Sequence, residues 1–203
     1  MEIPVYEAEE SPCRAYVIQR RTKETRISVD LCLGGGEIRI STGIGFFDHM
    51  LTAFAFYGGL GLKIEAEGDL EVDGHHTVED TGIVLGQALN RALGDRKGLR
   101  RFASACIPMD EALCFTVLDF SNRPFLVFDA DMPQPMIGTY DPCLTEEFLR
   151  ALAVNSGLTL HMKCLYGKNA HHITEALFKS LGAAVKEAVQ ITGTGVTSTK
   201  GVL

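Results

Sequence analysis

The sequence predicts an α+β protein built from two duplicated half-domains, each with the order β-β-α-β-α and with its helices packed between the sheets. The main observation is a repeated motif, His75-His76-x-x-Glu79 and His171-His172-x-x-Glu175, in which the second copy is shifted by 96 residues. A similar succession of alternating and helical apolar patterns leads to each copy. We therefore expect one domain over residues 1–203, with pseudo-repeats over about 15–95 and 105–190.

In the first half, residues 25–33 place an apolar side chain at every second position from Ile27. This period of two predicts a half-buried strand. Three glycines follow at 34–36 and the alternation resumes at Ile38, so we expect a hairpin. A nucleotide-binding loop is disfavoured because no helix directly follows the glycines. Helices are predicted over residues 46–57 and 75–94, with a strand near 62–67 between them.

The second half repeats this order. Its predicted elements are strands at 112–119 and 125–130, a helix at about 144–155, a strand at 158–165 and a helix from 171 to about 190. The tail over residues 192–203 is rich in Gly, Thr and Ser, and we expect it to be flexible until something orders it.

Bulk properties narrow the class of protein. A formal net charge of -7 and the lack of a Lys/Arg-rich block argue against nucleic-acid and anionic-membrane surfaces. No apolar run approaches the roughly 20 residues of a membrane helix. The N-terminus lacks a basic segment followed by an apolar signal core, and the six cysteines form no Cys-x-x-Cys pair. These features predict reduced thiols in a cytoplasmic protein that acts on small molecules.

The repeated motif predicts two metal sites. On a helix, residues i and i+4 share a face whereas adjacent residues point about 100° apart, so the two histidines of a pair serve different sites. The helix upstream of each motif adds His49 in the first half and Glu147 at the matching position of the second. The predicted sites are His75, Glu79, Glu147 and His172, and His49, His76, His171 and Glu175. Such nitrogen-rich sites suit Mn, Fe, Co, Ni or Zn. The competing interpretation is that adjacent histidines cap a helix or fill a polar gap, but the repetition disfavours it.

The sequence also resembles a known family, the imidazoleglycerol-phosphate dehydratases. The resemblance covers nearly the whole chain and rests on residues 21–25, 42–51, 73–80, 96–98, 101–102, 109–112, 167–176 and 198–203. It implies a ribosomal S5 domain 2-like fold and two Mn²⁺ ions per active site. It also implies a homo-oligomer of about twenty-four subunits with active sites at subunit interfaces. The resemblance also implies histidine in many members at the position where this chain carries Glu147.

The implied reaction is the dehydration of D-erythro-imidazole glycerol phosphate to imidazole acetol phosphate and water in histidine biosynthesis. It would proceed through a dimanganese-bound imidazolate, because a coordinated ring can accept the electrons left by C–H cleavage. By resemblance, Glu24 is the catalytic acid/base and also binds substrate. The other substrate-binding residues implied are Arg101, Arg123, Ser198 and Lys200, which suit a phosphate.

Other interpretations stay open from the sequence. Glu24 could be an exposed strand-end carboxylate, and Arg123 a solvated loop residue. His161 lies on the polar side of a predicted strand and is expected to be a surface or interface histidine. At the level of function, a metal-storage or metal-delivery protein would use the same histidines without turnover. A dinuclear hydrolase would use them to activate water.

Overall fold

The computed structural model describes residues 14–203, which form eight strands and four helices. The first half contains β1 (Ala15–Arg21), β2 (Thr25–Cys32), β3 (Ile38–Ser41), α1 (Gly45–Gly58), β4 (Gly61–Gly68) and α2 (His75–Leu93). The second contains β5 (Phe102–Met109), β6 (Ala112–Asp119), β7 (Phe125–Asp129), α3 (Leu144–Ser156), β8 (Thr159–Tyr166) and α4 (Ala170–Ala188). The duplicated α+β fold is confirmed. The start of the domain predicted over 1–203 lies outside the described residues.

Each half has one strand more than predicted, so the order is β-β-β-α-β-α. The additional strands, β1 and β5, lie at the edges of their sheets, whose orders are β1-β2-β4-β3 and β5-β6-β8-β7. In β5, exposed and half-buried side chains alternate and none is fully buried. Pro108 is compatible with this position because an edge strand has backbone N–H groups without ladder partners. Edge strands therefore lack the strong apolar pattern on which the prediction depended.

The predicted hairpin between β2 and β3 is wrong. β2 pairs antiparallel with β1 and β4, whereas β3 pairs parallel with β4. The glycine segment instead passes against the start of β4, where a Cβ added to Gly61 would lie 2.7 Å from the Gly35 carbonyl oxygen. The chain can approach so closely because Gly61 lacks a side chain, and Gly35 adopts the φ of 89° that the segment requires. The actual hairpin is β1–β2, and Glu24 lies in its turn.

The four helices lie between the two sheets and pair across the halves. α1 and α2 pack on the first sheet, and α3 and α4 on the second. Between these layers, α1 packs on α4 and α2 packs on α3. Fully buried rings join the halves where Phe47 of α1 meets Phe148 of α3 with ring centroids 5.3 Å apart. Within the second half, Phe148 in turn stacks on Phe178 of α4 at 5.4 Å. Burial of each such side chain contributes about 1.5–3 kcal/mol to folding.

Two glycines, themselves 96 residues apart, set the spacing of the helix pairs. A Cβ added to Gly182 on α4 would lie 2.4 Å from the Phe54 carbonyl oxygen of α1. A Cβ added to Gly86 on α2 would lie 2.8 Å from the Leu152 carbonyl oxygen of α3. The backbones are thus in direct contact, which fixes the position of α1 relative to α4 and of α3 relative to α2.

The remaining predictions about the chain's surface have mixed outcomes. No helix in the described part combines the length and apolar character needed to cross a membrane. His161 is exposed on β8, as predicted.

The cysteines and the C-terminal tail were also the subject of predictions. Free thiols are present at Cys106, Cys114, Cys143 and Cys164. Cys32 is disulfide-bonded, so the expectation of reduced thiols is wrong at that residue. The tail contacts the body through Thr192 N–H and Thr197 Oγ1, which donate to the Gly98 and Leu99 carbonyls. The flexibility of residues 192–203 stays a prediction.

Candidate metal centre and substrate pocket

The two His-His motifs occupy matching positions at the first turns of α2 and α4. Asn169, the N-cap of α4, accepts a hydrogen bond from the His171 N–H through its side chain at 2.9 Å. In the first half, Asp73 accepts in the same way from the His75 N–H at 2.7 Å. These local bonds satisfy backbone donors that a helix start leaves free, and they fix where each helix begins. The sequence therefore places both histidine pairs at helix starts.

The start of α1 is held by Asp48. Its Oδ1 accepts from the Thr42 N–H at 2.8 Å and from the Thr42 hydroxyl at 2.6 Å. His49 follows on the first turn, and the contact of α1 with α4 directs it towards the second motif. The Phe46 ring packs edge-on against His171 with centroids 4.9 Å apart, which further restrains that imidazole.

His49, His171 and Glu175 form a compact cluster drawn from both halves. Glu175 Oε2 lies 3.4 Å from His49 Nε2 and 3.2 Å from His171 Nε2. One donor atom from each residue lies within 4.8 Å of the other two, and among the described residues this is the one group of three with that property. Three of the four residues predicted for this site are therefore brought together. The fourth, His76, is not part of the cluster.

Glu175 is held from behind by Lys179. The Lys179 ammonium lies 2.7 Å from Glu175 Oε1, the oxygen that faces away from the histidines, and the Glu175 side chain is only 8% exposed. Burial raises the pKa of Glu175, but Lys179, with His49, outweighs this and the pKa lies below its ordinary value. Burial lowers the pKa of Lys179, and the bond to Glu175 reverses that shift. Glu175 thus carries a negative charge that points at two imidazole nitrogens.

The matching cluster of the other half is more open. His75 Nε2 lies 3.8 Å from Glu79 Oε2, and both side chains are 44% exposed. Glu147 is half-buried on the first turn of α3, the helix that packs on α2. The N-termini of these helices adjoin, since a Cβ on Gly74 would lie 3.4 Å from a Leu144 methyl. Glu147 is nevertheless not within a three-residue group in the described chain, and its role as a ligand stays a prediction.

The second histidine of each pair contacts a different acid. His76 Nδ1 lies 3.0 Å from Asp69 Oδ2, and its Nε2 lies 4.0 Å from Glu24. His172 Nδ1 lies 2.6 Å from Glu111 Oε2. The bond to Asp69 raises the pKa of His76. Within residues 14–203 neither His76 nor His172 joins a cluster of three, so these residues of one chain do not complete either predicted four-ligand site.

Glu24 is presented by a hairpin that is fixed from below. Thr22 Oγ1 accepts from the backbone N–H groups of Glu24 and Thr25 at 3.1 and 2.9 Å. Thr25 Oγ1 donates at 2.5 Å to buried Asp80, which also pairs with Arg20. Because this network engages the backbone and neighbouring side chains, the Glu24 carboxylate itself remains 55% exposed beside His76.

All four residues predicted to bind phosphate line one cavity of about 600 Å³: Arg101, Arg123, Ser198 and Lys200. Arg101 is buried with a left-handed φ of 76°, and Asp119 accepts from its Nε and Nη2 at 2.7 and 3.0 Å. Its Nη1 donates to the Thr197 carbonyl of the tail. Two of the five N–H donors of a guanidinium are then left for a ligand.

Four residues that contact the predicted site were missed from the sequence: Asp69, Glu111, Lys179 and Asp119. Lys179 had a usable signal, because it follows Glu175 by four positions on a helix. The hairpin turns also match, since Glu24 precedes the first residue of β2 and Glu111 the first residue of β6. Asp69 lies in the loop seven residues before His76, and Asp119 lies 18 residues after Arg101, so neither stands in a periodic pattern with its partner.

Two imidazole nitrogens and one ionised carboxylate oxygen facing each other are a donor set that suits divalent Mn, Fe, Co, Ni or Zn. Asp69 and Glu111 face the Nδ1 atoms of His76 and His172, so the Nε2 atom of each ring is the nitrogen turned away from that acid. The fold and site thus define an internally duplicated α+β protein with a donor set that could hold a divalent metal ion and a separate cavity lined by cationic side chains.

Comparison with known proteins gives the family. A family model described as imidazoleglycerol-phosphate dehydratase matches residues 42–185. The chain is 51% identical to imidazoleglycerol-phosphate dehydratase of Ruminiclostridium cellulolyticum, over 94% of this chain and 100% of that protein. Identity to the Moorella thermoacetica protein of the same name is 54%, over 94% and 98%. A crystal structure of the Staphylococcus aureus enzyme superposes with a TM-score of 0.81 at 41% identity, covering 88% of this chain and 99% of that one. The chain belongs to the imidazoleglycerol-phosphate dehydratase family.

Proposed function

We propose that this protein removes water from D-erythro-imidazole glycerol phosphate to give imidazole acetol phosphate, a step of histidine biosynthesis, in the cytoplasm. The observation that carries the proposal is the convergence of His49, His171 and Glu175, which come from both halves of a chain in the dehydratase family. The separate cavity with Arg101, Arg123 and Lys200 fits the phosphate of this substrate.

The proposed cofactor is Mn²⁺, two ions per active site. The donor set fits, and one site would use His49, His171 and Glu175 with His76, the other His75, Glu79, Glu147 and His172. When bound, the ions supply Lewis acidity that allows the substrate's imidazole ring to accept the electron pair left by C–H cleavage. The ionised Glu175, held by Lys179, provides the negative charge that such a site requires.

The chain's own residues supply proton transfer and orientation. Glu24 is exposed, and its backbone is held by Thr22, so its carboxylate can meet a substrate without the hairpin moving. In the proposal Glu24 is the acid/base: it takes the proton from the substrate carbon or gives one to the departing hydroxyl. The Glu24 carboxylate lies 4.0 Å from His76 Nε2, so the proposed acid/base is beside a proposed metal ligand.

The phosphate group would be bound at the other end of the substrate. Arg123 and Lys200 are exposed in the cavity, and Ser198 Oγ lies beside them. Arg101 is held rigidly by Asp119, so its remaining N–H donors are oriented before the ligand arrives. This fixed geometry reduces the ordering required on binding.

The proposal includes a homo-oligomer of about twenty-four subunits whose active sites lie between chains. Its support within the described residues is that α2, which carries His76, packs on α3, whereas the three-residue cluster lies on α1 and α4. An imidazole from a neighbouring copy can complete the cluster where the chain's own His76 does not.

The proposal is tested by following ketone formation and phosphate release separately from imidazole glycerol phosphate. We expect ketone product and no free phosphate, with activity lost after chelation and restored by Mn²⁺. His171→Ala should lower activity at least about 100-fold, whereas His161→Ala, which removes an exposed imidazole, should change it less than about twofold. Ketone formation that survives thorough metal removal would contradict the metal role. Phosphate release would instead indicate a hydrolase, and metal binding without turnover a storage protein.

A further inference from the structure

The two pseudo-symmetric hairpins carry glutamates in matching positions but in different environments. Glu24 and Glu111 each lie immediately before the second strand of a hairpin, β2 or β6. Each also lies beside the second histidine of a His-His pair. Glu24 is 4.0 Å from His76 Nε2, beyond hydrogen-bond distance, whereas Glu111 is 2.6 Å from His172 Nδ1. The duplicated positions have therefore diverged in what they contact.

Glu111 is engaged by three donors. Its Oε2 faces His172 Nδ1, and its Oε1 accepts from the backbone N–H groups of Lys168 and Asn169 at 3.1 and 2.9 Å. Asn169 is the N-cap of α4, the helix that bears His171 and His172. One carboxylate thus joins the β5–β6 hairpin both to the start of the ligand-bearing helix and to one of its imidazoles.

The first half divides these tasks between separate residues. Asp69 holds His76 Nδ1, and the hairpin that carries Glu24 is fixed through Thr25 and Asp80. Glu24 is consequently left without a bond to the imidazole. In the second half, positions equivalent to Thr25 and Asp80 are Ala112 and Ala176, which cannot make that network. Glu111 is therefore the described acid at hydrogen-bond distance from His172, as Asp69 is for His76, while Asp110 Oδ2 lies farther off, 3.6 Å from His172 Nε2.

We propose that Glu111 is a positioning residue that selects the tautomer of His172 and directs its Nε2 to a metal ion. This inference rests on the proposed function. An ionised carboxylate can only accept hydrogen bonds, so the proton of His172 is held on Nδ1 and the lone pair is left on Nε2. A carboxylate behind a histidine ligand has this effect on tautomer and ring orientation.

The competing role for Glu111 is only to clamp the hairpin to α4, and Glu111→Gln separates the two. The glutamine carbonyl can still accept from the Lys168 and Asn169 N–H groups, which preserves the clamp. Its amide NH₂ then faces His172 Nδ1 as a donor, which favours the tautomer with the proton on Nε2 and blocks that atom as a ligand. Glu111→Asp keeps an acceptor-only group, and Glu65→Gln, on an exposed strand face, is the charge-matched control.

The measurement is Mn²⁺ binding to metal-free full-length protein, followed by the electron paramagnetic resonance signal of free Mn²⁺. In Glu111→Gln we expect the Mn²⁺ affinity of about half of the sites to fall by about 10–100-fold, because only the sites that contain His172 are affected. The thermal midpoint should stay within about 3 °C of wild type. Glu111→Asp should retain affinity within about fivefold and Glu65→Gln within about twofold.

Wild-type binding in Glu111→Gln would overturn the inference. If Glu111→Gln loses its fold as well as its metal, Glu111→Asp decides: retained affinity supports the positioning role, and a loss equal to that of Glu111→Gln contradicts it. Failure of the proposed function is recognised separately, because wild-type protein would then bind no Mn²⁺ or form no ketone. If wild-type protein binds Mn²⁺ and forms ketone, and Glu111→Gln does both equally well, the positioning role of Glu111 is contradicted while the proposed function stands.

Discussion

At the scale of single residues, donor atoms of His49, His171 and Glu175 converge from α1 and α4 to within 4.8 Å of one another. The repeated spacing was enough to select His171 and Glu175, because i and i+4 on a helix share a face. The matching position upstream selected His49, and the structure brings all three together. Asp69 lies seven residues before His76 in the loop that leads to α2, and Glu111 lies 61 residues before His172 in a hairpin, so no helical or strand periodicity connects either acid to its histidine.

The pairing of Glu175 with Lys179 gives a prediction about pH. The pKa of Glu175 is lower in the folded protein than in the unfolded chain, where it is about 4.3. The ionised carboxylate therefore stabilises the fold at pH values above the unfolded pKa, and this stabilisation is lost as the pH falls through the folded pKa. The pKa of Lys179 is higher in the folded protein than in the unfolded chain, where it is about 10.4. Its charged ammonium therefore stabilises the fold at pH values below the unfolded pKa, and this stabilisation is lost as the pH rises through the folded pKa.

Lys179→Met should therefore destabilise metal-free protein most at neutral pH, by about 2 kcal/mol, because buried Glu175 loses its counter-charge. Urea unfolding at pH 7 and pH 4 should show this difference narrowing, since Glu175 in the variant takes up a proton more readily than in wild type. Lys186→Met, at an exposed position of the same helix, is the control and should change stability by less than about 0.5 kcal/mol. A loss of unfolding free energy in Lys179→Met that is the same at pH 7 and pH 4 would contradict the charge pairing of Lys179 with Glu175.

At the scale of elements, the sequence predicted helices and strands with a buried apolar face but did not predict the edge strands of the two sheets. The predicted start of α2 at His75 agrees with the structure, since its apolar face is strongly periodic. β1 and β5 were missed because edge strands bury few side chains. The false hairpin followed from reading Gly35 as part of a turn between adjacent strands, whereas β4 lies between β2 and β3. Sequence proximity favours a hairpin, but here the parallel β3-α1-β4 connection prevails.

The close approach of α1 and α4 gives a prediction at this scale. Gly182→Ala places a Cβ 2.4 Å from the Phe54 carbonyl, a backbone atom that can move only if α1 shifts. We expect a loss of about 1–3 kcal/mol in unfolding free energy. Mn²⁺ affinity should also fall, because α1 carries His49 and α4 carries His171.

The control is Gly193→Ala, where an added Cβ meets no atom within 4 Å. Calorimetric titration with Mn²⁺ and chemical unfolding would be carried out on both variants. Unchanged affinity in a destabilised Gly182→Ala protein would show that the spacing of the helices does not set the geometry of the site.

At the scale of the whole molecule, duplication was visible in the sequence but the pairing of helices between the two halves was not. The shift of 96 residues predicts two related halves, yet it does not say that α1 pairs with α4 and α2 with α3. That exchange brings His49 of one half to Glu175 of the other. It also leaves His76 and His172 outside any three-residue group in the described chain, which is a property of tertiary packing and not of spacing.

The central claim is that a dehydratase site formed by His49, His171 and Glu175 is completed by His76 from a neighbouring copy. The most direct test is to assemble His76→Ala and Glu175→Gln chains together and to assay ketone formation and bound Mn²⁺. Each variant alone should be inactive. Random mixing in equal amounts should restore roughly one quarter of these sites, because an intact cluster from one chain meets an intact His76 from another. Mixed assemblies that remain as inactive as the separate variants, although the chains are shown to have exchanged, would contradict the claim.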